Sequence, residues 1–491
     1  MQIYNFLLYY QIIWYFSKMR KYVFWGKARP GEKILVKTSW DHKKYKVTAL
    51  ANGHWELMIQ TPAATSGQSV MLKGDNKIRI NNILIGEVWL CTGQSNMEFP
   101  VARNPQVKWK TGMLNEAEEM KDADFPEIRL FHVEHQLAPD GEKEDCVGKW
   151  VVCNPENLKD FSAVGFVFGR KLYKELSTPV GLIQSTWGGT HAESWTSMKV
   201  MENNPLYADV LKQYSKERVS REKDKCKVPA TLWNGMIAPM VGYTVKGDIW
   251  YQGESNDTHP EDYRELLQSL IADWRKGWEN PKLPFTVVQL PNCSVDIAPG
   301  EAWPKIREAQ RQAAKLSNVG VSINLDLGED NDLHPLNKKE TAHRAALVME
   351  QLENSSETGK GSPCIQECIQ NPGGSVCLKF DVPAEELCFA SRDGVTGDLA
   401  VKETSVKEKL GLFEIQGPDG KWNAVQAEII SQGVYLSVGE AAFAAAVRYA
   451  WNCAPGSVLL YRRNGLPAGP FMEKIQSFLK NKGYKISENR I

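Results

Sequence analysis

Residues 85–100 read Ile-Gly-Glu-Val-Trp-Leu-Cys-Thr-Gly-Gln-Ser-Asn-Met-Glu-Phe-Pro. The apolar run at 88–90 leads into Gly93, Gln94, Ser95, Asn96 and Met97. This is the pattern of a buried strand that stops at a tight turn with a serine at its tip. α/β proteins place their chemistry at such carboxyl ends of strands. A serine there can act as a nucleophile if a histidine reaches it, or it can hydrogen-bond its own backbone as turn serines do. The rest of the chain decides between the two.

The same grammar repeats up to about residue 350. An apolar run at 180–183 ends in a turn with Trp187, Gly188 and Gly189, and one at 248–251 ends in Gln252, Gly253, Glu254, Ser255 and Asn256. Strands are also predicted at 285–290 and 319–325, the second running into a loop that carries His334. Helical spacing recurs between them, at 162–176, 263–278, 306–316 and 341–352. Strand and helix in alternation predict a parallel sheet with helices on both faces. In such a doubly wound sheet the strand ends meet along one edge, so Ser95, the turns at Gly189 and Gly253, and His334 are expected close together.

Either side of this region the texture is β. Residues 22–84 carry short strands, with Asn52 and Gly53 as a hairpin signal, and predict a small sandwich. Residues 85–352 form the α/β unit. Residues 353–470 return to short strands and predict a second sandwich, and the spacing after 471 assigns 471–491 to a terminal helix. Residues 3–16 are aromatic and apolar but shorter than the ~20 residues a membrane span requires. Neither a basic start nor a small-residue cleavage site marks a leader there. Three readings stand: a non-cleaved anchor, a first strand, or a mis-called start codon that clipped a leader. The last is the expectation for 1–21. The charged segment 214–228 reads as surface.

Lys+Arg and Asp+Glu number 59 each, so no global field draws nucleic acid or an anionic membrane to the chain, and no other stretch is a membrane-span candidate. The 16 tryptophans suit either core packing or flat sugar faces. The ten cysteines include no Cys-x-x-Cys pair, which argues against a structural zinc or thioredoxin-like site. The group Cys364, Cys368, Cys377 and Cys388 fits disulfides in an exported protein and reduced thiols equally well.

A strand-end serine, a histidine and glycine turns are the parts of an ester-cleaving site. The serine attacks, the histidine takes and returns its proton, and each good oxyanion donor is worth roughly 3–4 kcal/mol. The nucleophile-elbow pattern Gly-x-Ser-x-Gly is absent, so an ordinary α/β-hydrolase is excluded.

The blocks at 86–99, 181–195, 250–256 and 326–335, in that order, resemble the sialate O-acetylesterases of the SGNH-hydrolase superfamily; segments 233–239, 306–310, 446–451 and 465–471 also fit. The likeness runs from about 22 to 471. It implies an SGNH-type doubly wound parallel sheet flanked by two smaller β-sandwich-like domains, with Ser95 as nucleophile and His334 as general base. The implied oxyanion donors are the backbone N–H of Ser95, Gly189, and a side-chain amide. For that amide Gln252 ranks above Asn256, which is displaced by one position from the superfamily pattern Gly-x-Asn-Asp. The superfamily acid stands three residues before the histidine, where this chain has Asn331. Asp332, Asp330 or Asp326 could serve, or a main-chain carbonyl could orient the ring and give a dyad; Asp332 is the choice.

Trp187, Trp195 and Trp303 either floor a sugar site or pack in the core. Arg307 either meets a sugar carboxylate or makes a helix-surface salt bridge. Trp187, Trp195 and Arg307 are taken as substrate-binding candidates. His191 and His259 read as surface or surrounding residues, and Glu254 as a pin for its loop. No metal or organic cofactor is required. The resemblance implies export, to the periplasm or the outside. The expected activity is hydrolysis of O-acetyl esters of sialic acids through an acetyl-serine intermediate. Acetylated xylan or another glycan is the alternative substrate, and a catalytically dead carbohydrate-binding protein the alternative of another class.

Overall fold

The computed structural model describes residues 14–18, 21–107, 109, 111–214, 225–295, 300–354, 361–393, 398–404, 411–438 and 444–477. The chain opens with strands β1 (Trp14–Ser17), β2 (Lys21–Lys27), β3 (Lys33–Thr38), β4 (Lys44–Thr48), β5 (His54–Gln60), β6 (Thr65–Lys73) and β7 (Lys77–Gly93). β4, β3, β6 and the first half of β7 form an antiparallel sheet, and β2 and β5 pair as a separate ribbon. Alternation along β3 turns Ile34 and Val36 into the core and Lys33 and Lys37 out to solvent, as the two-residue period of a strand requires.

β7 organises the molecule. It is 17 residues long, and its burial changes from alternating to continuous at Ile83. The first half has one wet face; the second is covered on both faces, as strands of parallel sheets are. Residue 84, where the sequence reading ended the N-terminal layer, lies inside this strand, so both layers share it. β1 lies parallel to β7, pairing Trp14 with Ile83 and Ser17 with Gly86. The first-strand reading of the N-terminal segment therefore fits 14–17, and residues 1–13 lie outside the described residues.

The second half of β7 enters a mixed sheet with β8 (Phe125–His132), β9 (Trp150–Cys153), β10 (Val180–Thr186), β11 (Gly247–Tyr251), β12 (Phe285–Val288) and β13 (Val319–Ser322). The order is β13-β12-β11-β7-β10-β8-β9. All neighbouring pairs are parallel except β8–β9. β10 and β11, which flank β7, are buried at every position. Four longer helices cover the sheet: α1 (Ala163–Leu176), α2 (Tyr263–Gly277), α3 (Ala302–Ala313) and α4 (Lys338–Glu353). α1 packs on α4 and α2 on α3. α1 starts at Ser162, whose hydroxyl accepts the Gly165 N–H at 3.0 Å, a capping bond that satisfies one of the orphan donors of the first turn. The chain builds β8 and β10 on one side of β7 and β11 to β13 on the other. The turn after β7 thus opens at the point where the winding reverses, where α/β sheets form their crevice.

The C-terminal region contributes an eight-stranded and a three-stranded sheet, largely antiparallel, around a second core. Ile323 and Leu325, just past β13, belong to that core, which joins the two regions. Here the sequence reading of 471–491 as a helix is corrected: Phe471–Lys474 is a strand that pairs antiparallel with Ala446–Tyr449. The Phe471 ring stacks on Tyr449, and this non-local pairing overrides the local helical spacing. Residues 478–491 lie outside the described residues, as does most of the charged segment 214–228. Among the described residues no disulfide joins any of the ten cysteines, and no helix is long and apolar enough to cross a membrane.

Candidate active site

Gly93 ends β7 with φ 132°, a backbone region that favours glycine. A Cβ there would stand 2.1 Å from the carbonyl oxygen of Tyr251. That carbonyl accepts the Gln94 N–H at 3.0 Å, so the close approach is what sets the turn. One turn of helix follows, Ser95–Glu98. It leaves Ser95 only 8 % exposed, recessed between His334 and the Gly188 turn.

His334 reaches the serine from the loop after β13. Its Nε2 lies 2.9 Å from Ser95 Oγ, hydrogen-bond distance for a proton transfer. Several bonds hold the loop. Asn292 accepts the Gly328 N–H and donates to Asp330, both at 2.8 Å, and Glu329 accepts the Leu336 N–H at 3.0 Å. Of the three carboxylates open in the sequence reading, Asp332 is the one that reaches the ring. Its Oδ1 accepts the backbone N–H of His334 at 2.8 Å and stands 3.8 Å from Nδ1. The second distance is electrostatic contact rather than a hydrogen bond. Asp326 is turned away into a buried ion pair with Arg344, at 2.6 and 2.9 Å, and Asp330 is engaged by Asn292.

Gly189 tips the turn after β10 with φ 71°, exposed and with open space around its α-carbon. Its neighbour Gly188 gives its N–H to Glu98 Oε2 at 2.5 Å. Gln252 does not present its amide to the recess, which corrects the sequence reading. The side chain is fully buried, and its Nε2 donates to the Thr190 carbonyl at 3.0 Å and to Asn256 Oδ1 at 2.7 Å. An amide nitrogen has two hydrogens, so both are spent, and Gln252 braces the Gly189 turn from behind. Asn256 is also inside: it accepts the Ala192 N–H at 3.1 Å and donates to Glu193 at 2.9 Å. His259 completes this cluster, 2.9 Å from Glu193 Oε1. Burial pushes the Glu193 carboxyl up, but bonds from His259 and Asn256 outweigh it and hold it below the usual carboxylate range. The same bond to Glu193 raises the His259 imidazole.

The substrate-binding candidates separate. Trp187 is half-buried and stacks on His135, ring centres 4.0 Å apart. Trp195 is fully buried, with its indole N–H on Thr190 Oγ1 at 3.0 Å, and Trp303 is equally interior. Arg307 is also fully buried and donates to four main-chain carbonyls: Leu290, Pro291, Asn452 and Cys453. Burial pushes its guanidinium down to about 10. Trp195 and Arg307 are therefore interior residues, a correction whose cause is burial that side-chain type does not reveal.

Four residues escaped the sequence reading. Half-buried Trp109 lies beside His334, ring centres 5.0 Å apart. Glu98 Oε1 is 3.1 Å from His135 Nε2, and that nitrogen also meets the Thr186 carbonyl at 3.0 Å. Two acceptors at one nitrogen mean that Nε2 carries its proton. Asn96 is buried next to Ser95 in the chain. It donates to Glu254 at 2.6 Å and to the Leu333 carbonyl at 2.9 Å, and accepts from Lys338 at 2.5 Å. It thus ties the Ser95 turn to the residue before His334. Asn96 and Glu98 sit inside the block that marks Ser95, so their proximity was readable; Trp109 and His135 carry no such signal.

A family model described as carbohydrate esterase, sialic acid-specific acetylesterase, matches residues 85–350, more than half of the chain. The chain is 27 % identical to a sialate O-acetylesterase of Homo sapiens, over 92 % of this chain and 88 % of that protein. It is also 27 % identical to the sialate O-acetylesterase of Mus musculus, with 92 % and 91 % covered. Among solved structures, a carbohydrate acetylesterase from Xanthomonas citri superposes with a TM-score of 0.81 at 28 % identity, covering 95 % of this chain and 98 % of that one.

Proposed function

The chain belongs to the carbohydrate esterase family of sialic acid-specific acetylesterases, and from that premise we propose that it hydrolyses O-acetyl esters of sialic acids with Ser95 as nucleophile. The observation that carries the reading is the 2.9 Å contact between Ser95 Oγ and His334 Nε2. Ser95 Oγ attacks the acetyl carbonyl as its proton passes to His334 Nε2. The N–H groups of Ser95 and Gly189 receive the oxyanion. On collapse the C–O bond to the sugar breaks, and the imidazolium returns its proton to the sugar oxygen. Water then attacks acetyl-Ser95 as it gives a proton to His334 Nε2; the bond between the acyl carbon and Ser95 Oγ breaks, the imidazolium returns the proton to Oγ, and acetate leaves. Asp332 favours the imidazolium through its charge. Trp187 and Trp109 wall the recess where the sugar sits. The parallel sheet, its reversal at β7 and the two helix pairs support an SGNH-type doubly wound unit over 85–352, flanked by β regions at 22–84 and 353–470.

Glu98 favours a second reading. Its carboxylate, 21 % exposed, stands beside the recess and disfavours an anionic sugar there, which fits an acetylated neutral glycan such as xylan. Acetate release from O-acetylated sialic acid and from acetylated xylan separates the two. Ser95→Ala is expected to lower aryl acetate hydrolysis at least about 10³-fold with an unchanged melting curve; a variant that keeps most of its activity overturns the mechanism.

A further inference from the structure

The outer face of the N-terminal sheet is a plate of positive charge. Register places Lys44, Lys37, Met71 and Arg79 in one row across β4, β3, β6 and β7, and Lys46, Leu35, Lys73 and Lys77 in the next. Lys33 extends the plate along β3. All seven cations are exposed. Among the described residues none of them pairs with a carboxylate, and no Asp or Glu occurs in β3, β4, β6 or the first half of β7. The acids flanking these strands are committed elsewhere: buried Glu32 accepts the backbone N–H groups of Arg29 and Asp75, Asp41 is held by Thr38 and Tyr45, and Asp75 pairs with Arg29. A chain whose total charge is balanced has thus gathered seven like charges on one sheet, where cross-strand like charges destabilise. A hollow of about 230 Å³ at one end of the plate, lined by Lys37, Ser39, His42, Ser69 and Arg79, offers a seat for a single anionic group.

We propose that this face is a docking surface for an anionic polysaccharide, separate from the catalytic recess. Charge complementarity sets the partner's sign. Neighbouring strands stand about 4.8 Å apart, so the cations recur at the scale of successive sugar units. The outward positions carry no aromatic ring, which leaves no platform for stacking the bases of single-stranded nucleic acid. Only Leu35 and Met71 lie among the cations, which gives a bilayer little to bury. β7 rises about 3.3 Å per residue from the plate to the nucleophile turn, which sets the two roughly 50 Å apart. One sugar cannot touch both; an extended chain bearing acetyl esters can. The choice of a glycan among polyanions rests on the sugar-ester reading, whereas the anion site itself does not.

The test uses the full chain and two quadruple variants at Lys37, Lys44, Lys73 and Arg79, one with all four replaced by Glu and one with all four replaced by Gln. Binding to polysialic acid, polygalacturonate, a DNA duplex and phosphatidylserine vesicles is measured at about 50 and about 200 mM salt, and aryl acetate hydrolysis alongside. The expected result is binding to a polysaccharide that weakens steeply with salt, falls about tenfold or more in both variants, and leaves aryl acetate hydrolysis unchanged. The Gln set keeps the test valid if the Glu set fails to fold. Equal binding by wild type and Gln variant, no polysaccharide binding at the lower salt, or stronger binding to DNA or vesicles overturns the proposal. Binding is also read with Ser95→Ala, so loss of the esterase reading and loss of the docking surface register as different results.

Discussion

Asp332 makes two contacts with His334 that differ in kind. Its Oδ1 accepts the backbone N–H at 2.8 Å and faces Nδ1 at 3.8 Å. The first shapes the loop. The second lets its charge favour the imidazolium from beyond hydrogen-bond distance. Asparagine at 332 keeps an acceptor for the backbone and removes the charge, so it separates the two. Asp332→Asn is expected to lower kcat on an aryl acetate about tenfold, the equivalent of ~1.4 kcal/mol. That is far less than the ~10⁴-fold loss where a carboxylate hydrogen-bonds the ring. Steady-state kinetics at neutral pH decide it; a loss near 10⁴-fold means that the carboxylate closes onto Nδ1 in the reacting enzyme. At this scale Ser95 and His334 were legible, because both sit in distinctive blocks at strand ends. Gln252 and Trp195 were not, because tertiary packing decides which way an amide or an indole faces: Gln252 is held by the Thr190 carbonyl, 62 residues away in sequence, and Trp195 packs edge-on against Trp250 of β11.

The elements that carry the site are held to each other by buried polar bonds at their tips. The turn after β10 and the turn after β11 meet in the cluster of Glu193, Asn256 and His259, with His191 edge-on to His259. The pairing raises His259 above its ordinary 6.5 and holds Glu193 below 4.5, while burial pushes His191 down. A raised histidine stabilises the fold fully below its unfolded value, and the contribution is lost as pH rises through the folded one. A depressed carboxylate contributes above its unfolded value and loses that as pH falls through the folded one. Asp257 and Asp262 also face His259 and act in the same direction. Thermal stability is therefore expected to decline as pH rises from about 6.5. Replacing His259 by Gln removes that part of the decline, and parallel melting profiles for the two proteins from pH 6 to 9 refute it. The strands themselves were legible: β7, β10 and β11 are apolar because both faces are covered. The strand at Phe471–Lys474 was not, since its partner Ala446–Tyr449 lies in a distant segment and its own spacing suits a helix.

On the scale of the molecule, Arg307 on α3 spends on the protein's own backbone the donors that the sequence reading offered to a substrate. Its guanidinium reaches the carbonyls of Leu290 and Pro291, which follow β12, and those of Asn452 and Cys453 in the C-terminal region. One planar cation thus fastens the C-terminal sheets to the parallel sheet, beside the second core that already takes in Ile323 and Leu325. A fork of rigid donors suits the task, and an ammonium does not reproduce it. Arg307→Met strands buried carbonyls, each costing about 1–3 kcal/mol when left unpaired. With four carbonyls stranded, the variant is expected to lose roughly 4 kcal/mol or more, seen as a lowered first unfolding transition, with Arg307→Lys recovering only part. The residue does not line the recess, so KM and kcat of the folded fraction at low temperature should stay within about twofold of wild type. Calorimetry and kinetics on the same preparations decide between fastening and substrate binding. A tenfold rise in KM with the melting curve unmoved would return Arg307 to the sugar, and a fall in the melting curve with KM unmoved places it in the joint between the two regions.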